Sequence, residues 1–269
     1  MSYEIGVANG QTPIFYTRQF IGTIPYVFQF EKIFPYTNGV FILLFSFFGI
    51  FNLPKKSKNI FLVLISSIIF FLYQGQLFVK WTRFMSPIFF IFPLLSVYFI
   101  QKIKNTFLKT TLILICLLPG IYFFRIYFQP DIRIQASNWI NQNIPPHSQV
   151  LSESGNVIDL PLANSKINVS NFDFYQLDQS FEQQENLKSL IKNSDYIFIP
   201  SRRVFKNQNN FYFPISQDYY QKLFSGNLNF SSLKTFSTNN SFLLNSQNAE
   251  ETWSVFDNST IRIFKKNNL

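Results

Sequence analysis

The chain has 269 residues, 36 of them Phe, and a net charge of +9, with eleven Lys/Arg against two acids in residues 1–130 and twelve of each in residues 131–269. A nucleic-acid binder is excluded, because the basic excess belongs to an apolar half and the remainder is neutral. A single Cys116 and a single His147 exclude an intrachain disulfide and leave no metal-ligand spacing.

Residues 1–32 lack the basic start and continuous apolar core of a signal peptide. Tyr3, Phe15, Tyr16, Phe20, Tyr26, Phe28 and Phe30 alternate instead with Gln, Thr, Gly and Pro. That pattern predicts an extracytoplasmic interfacial segment with its rings at headgroup level. No carboxylate occurs between Glu31 and Asp131, and four uncharged windows follow at 33–54, 59–79, 84–101 and 110–124. A hydrocarbon core of about 30 Å needs about 20 apolar helical residues, so these windows predict four transmembrane helices over 33–128. The fourth reaches Phe128 if Arg125 snorkels. Continuous apolar runs exclude a barrel, which needs alternating segments.

Lys55, Lys56 and Lys58 follow the first window, and Lys102, Lys104 and Lys109 follow the third. The positive-inside rule puts both loops in the cytoplasm. The chain is then a multi-pass protein of the cytoplasmic (inner) membrane, with the Lys80/Arg83 loop and the carboxy-terminal domain outside. No Asp, Glu, Lys, Arg or His lies within the four windows, which argues against an ion or proton transporter.

Residues 129–269 read as a soluble, extracytoplasmic α/β domain with a small sheet. Asp131 is the expected N-cap of a helix whose apolar face is Ile132, Ala136, Trp139 and Ile140, and Pro145-Pro146 follows its end. Strands are expected at 149–151, 196–200, 233–236, 252–256 and 260–264, the last two joined by a turn at Asp257-Asn258, and helices at 181–192 and 217–224.

Lys80 and Arg83, three apart before the third window, are the candidate lipid-phosphate clamp. Their plainer role is a headgroup anchor beside Trp81. Arg18, Arg202 and Arg203 are weaker candidates for acceptor or interface contacts, with simple snorkelling or solvation as the alternatives. Glu153 lies past the first expected strand, where α/β sheets tend to bind ligands. Glu250-Glu251 reads as a solvated turn. No catalytic constellation, metal ligand set or cofactor loop is evident in the sequence.

Four tracts carry a resemblance. Phe15-Tyr16-Thr17-Arg18-Gln19-Phe20-Ile21-Gly22-Thr23, Lys80-Trp81-Thr82-Arg83-Phe84-Met85-Ser86-Pro87, residues 131–145, and Ala249-Glu250-Glu251-Thr252-Trp253-Ser254-Val255-Phe256-Asp257 resemble the carboxy-terminal part of bacterial GT-C membrane glycosyltransferases. These are relatives of the protein O-mannosyltransferases and the aminoarabinose lipid A transferases. The resemblance spans essentially the whole chain through loose motifs. It implies a multi-pass enzyme that uses a polyprenyl-phosphate-linked sugar donor at the outer membrane face. Such enzymes place a catalytic Asp or Glu in the first extracytoplasmic loop, whereas the apolar half here offers only Glu4 and Glu31, neither in that setting. The expectation is therefore a carboxy-terminal portion that packs against absent amino-terminal catalytic helices. The alternative is a non-enzymatic, membrane-anchored binding or sensing module.

Overall fold

In a computed structural model the structure describes residues 2–12, 14–54, 58–154, 159–163, 165–209, 211–238, 242–256 and 259–267. Lys55, Lys56 and the expected turn at Asp257-Asn258 lie outside the described residues. The chain forms two compact units: a helical one from Met1–Pro13, Phe20–Ile126 and Asn239–Trp253, and an α/β one from Ile14–Gln19, Tyr127–Thr238 and Ser254–Leu269. The expected division into 1–32, 33–128 and 129–269 is drawn differently: residues 1–13 and 20–32 join the helices, and two segments cross over. Residues 14–19 belong with the α/β unit and residues 239–253 with the helices.

Two helices, Lys58–Gly75 and Thr106–Phe128, are long and apolar enough to cross a membrane; there are up to four if each of two bent pairs counts as one span. The first pair corrects the expected straight helix over 33–54. Val27–Thr37 and Val40–Ile50 meet at 114°. The break falls at Gly39, whose φ of 81° no ordinary helical residue adopts and where a Cβ would meet Pro119 Cγ at 3.0 Å. The second pair, Thr82–Ile88 with Ile91–Gln101, bends by 44°. The fourth helix starts at Thr106 rather than 110, because Asn105 accepts a hydrogen bond from Leu108 N at 3.0 Å and so caps it earlier.

Helices Val40–Ile50 and Ile91–Gln101 pack closely through small residues. A Cβ on Gly49 would collide with the Leu95 carbonyl, and the buried Ser46 and Ser96 donate back to Leu43 O and Pro93 O within their own helices. Buried hydroxyls are thus satisfied while the backbones approach. Ile33, Phe34, Met85 and Ile88 form the centre of this unit.

In the α/β unit the sheet order is β2-β1-β3-β5-β4, with β1 (Gln149–Glu153), β2 (Asn168–Phe172) and β3 (Tyr196–Ile199) parallel and β4 (Phe230–Ser237) and β5 (Thr260–Lys266) antiparallel. Alternation along β1 and β3 assigns the two faces. Leu151, Ile197 and Ile199 pack with Leu187, Tyr219, Tyr220 and Leu223 from helices Phe181–Asn193 and Pro214–Phe224. Val150, Tyr196 and Phe198 pack with Ile140 and Ile144 of helix Ile132–Asn143 and the loop after it. Asp131 caps that last helix as expected, accepting from Arg133 N at 2.8 Å. The segment expected as a strand near 252–256 is instead a short helix, Glu251–Val255. Strand β2 was not expected at all: among its residues only Phe172 is fully buried, as suits a polar edge strand.

Candidate functional site

Lys80 sits on an extended stretch after helix Lys58–Gly75, and its backbone is two residues short of the helix that begins at Thr82. Its side chain is 2% exposed. Nζ donates to Thr23 Oγ1 at 3.1 Å and to Phe78 O at 3.0 Å. The ring centroids of Phe20 and Phe78 lie 6.0 Å from the ammonium. Burial pushes the Lys80 pKa down to about 8, with no charged neighbour opposing it. Lys80 lines a cavity of about 480 Å³ together with Asn9, Thr23 and Gln76, and among the described residues every other lining residue is uncharged.

A hydrogen-bond inventory defines what this site lacks. An ammonium has three N–H donors and the two acceptors here are both neutral. Thr23 uses its own proton on Phe20 O at 2.7 Å, so toward Lys80 it acts as an acceptor. Thr23 Oγ1 and Phe78 O thus engage two of the three ammonium donors.

Arg83, the other half of the expected clamp, has different neighbours. It is exposed, its guanidinium 4.5 Å from the Trp81 ring centroid and 5.4 Å from that of Phe84, and it does not line the cavity. The helix starts at Thr82, too late to put both cations on one helical face. Thr23, which does join Lys80, was not expected; the two positions are 57 apart, and no local rule links them.

Glu250 and Glu251, expected on a solvated turn, are 1% and 3% exposed. Glu250 accepts from Thr82 N at 3.2 Å, Thr82 Oγ1 at 2.7 Å and the Thr252 hydroxyl, while its own N–H donates to Lys32 O at 2.9 Å. Charge-assisted bonds of this kind offset the burial of the carboxylate. A separation of 168 residues hid this latch from the sequence.

In the α/β unit Arg18, Arg202 and Arg203 are drawn into packing. Arg18 Nη2 donates to Tyr175 O at 2.8 Å, and its guanidinium lies 4.6 Å from the Phe213 ring centroid and 5.3 Å from that of Tyr175. Burial lowers its pKa, opposed by Tyr175, Asp173 and Asp178. Arg203 lies over Phe15, which in turn packs on Tyr175 with ring centroids 4.8 Å apart, so Arg18 and Arg203 flank one aromatic pair. The solvated Arg202-Arg203 loop expected from sequence is corrected: both residues are buried, and Arg203 N donates to Ser201 Oγ at 3.1 Å. Glu153 ends β1 at the carboxyl edge of the parallel strands, buried, with Tyr220 donating to Oε1 at 2.6 Å. Burial and the Glu153 charge push the Tyr220 pKa well up.

Among the described residues no group of three or more His, Cys, Asp or Glu could hold a metal ion. No protein family, curated protein or solved structure matches the chain.

Proposed function

We propose that this chain is a membrane-embedded, donor-binding portion of a lipid-linked sugar transferase of the GT-C kind. Each bent helix pair is then one crossing, giving four spans in the cytoplasmic membrane, with the lysine-bearing turns on the cytoplasmic side and the α/β unit outside. The outward faces of the two long helices support a lipid setting: Phe61, Leu62, Ile69, Leu114 and Ile121 are all exposed, and Phe107 is 82% exposed. In water such faces would be an aggregation liability.

The observation that carries the donor reading is Lys80, a buried cation held by two neutral acceptors at the edge of an uncharged cavity. A polyprenyl-phosphate-linked sugar presents one phosphodiester charge, which completes both the charge and the hydrogen bonding of the ammonium. Asn9, Thr23 and Gln76 offer uncharged polar groups of the type that hydroxyl-bearing sugars engage. No carboxylate lines the cavity among the described residues, so this portion binds the donor while other helices of the enzyme supply the general base. Arg83 over Trp81 then serves as a headgroup-level anchor.

The test is retention of lipid by the chain reconstituted in nanodiscs and examined by native mass spectrometry. Polyprenyl-phosphate hexose should be held in preference to the uncharged polyprenol, and Lys80→Met should weaken that hold about tenfold to a hundredfold, the size of a lost charged hydrogen bond. Equal retention of the polyprenol, or indifference to Lys80→Met, overturns the reading.

A further inference from the structure

The hydrogen-bond inventory around Lys80 has a consequence for when the site can be filled. Two neutral acceptors, Thr23 Oγ1 and Phe78 O, match the two N–H groups of an unprotonated amine, so the empty cavity tolerates loss of the third proton without leaving a donor unsatisfied. With an anion present, the third N–H gains an acceptor and the positive charge gains a counter-charge. The groups facing Lys80 are Thr23, Phe20 and the Phe78 carbonyl, and among the described residues the remaining cavity wall, including Asn9 and Gln76, carries nothing that titrates. Of the nearby charges, Arg83 is exposed over Trp81, and Glu250 is engaged with Thr82 and Thr252. Among the described residues no carboxylate lines the cavity beside Lys80.

We infer that Lys80 pairs its anion with its third proton: the anion is held only while that proton is on Nζ. This rests on the cavity being the seat of the donor phosphate. The linkage runs in one direction with pH. In the empty site burial brings the Lys80 pKa down to about 8. A bound anion raises it, so binding above about pH 8 requires uptake of a proton and weakens as protons become scarce. Below that pH the proton is already present and affinity is flat.

The experiment uses the full chain in nanodiscs with a prenyl methyl phosphodiester, whose own charge stays fixed across the range studied. Calorimetry from about pH 6 to about pH 10, in pairs of buffers with different ionisation heats, counts the protons taken up. Affinity should be level to about pH 8 and then fall about tenfold per pH unit, with close to one proton absorbed per ligand in the falling region. Lys80→Arg keeps a permanent cation and should bind without proton uptake or that fall. Should the arginine not fit, NMR of ¹³C-methylated lysines, with the Lys80 signal identified by its loss in Lys80→Met, reads the same pair directly. The Lys80 titration should move to higher pH when the probe saturates the site. Wild-type affinity that stays level to about pH 10 overturns the pairing while leaving the donor reading intact, whereas a Lys80 titration unmoved by the saturating probe places the anion elsewhere and overturns both. Absence of binding at every pH removes the donor reading and the pairing with it.

Discussion

The Lys80 ammonium and the Thr23 hydroxyl are joined at 3.1 Å, and Thr23 in turn donates to Phe20 O at 2.7 Å. This short relay fixes the direction in which the hydroxyl oxygen can receive, and so fixes the ammonium at the cavity wall. Orientation of the cation is thereby a property of the 20–23 turn.

Thr23→Val removes the acceptor and keeps the shape. The Lys80 pKa should fall further below about 8, because the charged form loses a partner, and phosphodiester affinity at about pH 8 should drop about threefold to tenfold. Calorimetry on the variant checks both; unchanged affinity means that Thr23 is a bystander.

Gly49→Ala places a Cβ against the Leu95 carbonyl, a backbone atom that cannot rotate aside. The contact between helices Val40–Ile50 and Ile91–Gln101 must open, at a cost of about 1–3 kcal/mol. Thermal unfolding in detergent should show a lower midpoint than the wild type, and an unshifted midpoint contradicts the close approach.

Tyr220 is buried against Glu153, and both effects raise its pKa well above the usual tyrosine value. The folded state therefore keeps the phenolic proton that the unfolded chain releases above about pH 10, so this contribution to stability is fully present below about pH 10 and is lost as pH rises beyond it. Tyr220→Phe should cost about 1–3 kcal/mol near neutrality and make the alkaline decline shallower. Denaturant midpoints of the two proteins at neutral and alkaline pH measure this, and parallel declines would count against it.

Arg18→Ala strips a charged hydrogen bond and two ring contacts from the α/β unit, about 2–4 kcal/mol in sum. Arg18→Lys should recover little, since an ammonium does not stack as a plane. Near-ultraviolet circular dichroism of the Tyr175 and Phe213 environment, followed through thermal melts, distinguishes the three proteins; a lysine variant as stable as wild type removes the stacking argument.

Local rules in the sequence carried the elements whose stability is local. Helix Ile132–Asn143 was legible from Asp131 and from Ile132, Ala136 and Ile140, all of which are buried. Strand β3 was legible from four successive apolar residues, all buried. Residues 252–256 misled because Thr, Trp, Val and Phe favour strands on average, yet Ser254 and Val255 are buried in a single helical turn. The break at Gly39 was marked locally by Pro35 and Thr37-Asn38, but the length of the uncharged window outweighed that signal. In the candidate site, Lys80 stood out as a cation at the end of an apolar run, while Thr23 and the Glu250 to Thr82 latch depend on distant backbone segments meeting. The burial of Arg203 was hidden for the same reason: the ring it lies over is the distant Phe15.

The interlaced membership of residues 14–19 and 239–253 bears on how the protein is made. Arg18 leaves the ribosome 157 residues before the Tyr175 carbonyl it will bond, an interval of roughly 8–30 s at bacterial-scale elongation rates of about 5–20 residues per second. Thr82 waits longer for Glu250, 168 residues later. Neither unit can finish folding before its last contributing segment emerges, so completion of each core waits on the synthesis of that segment.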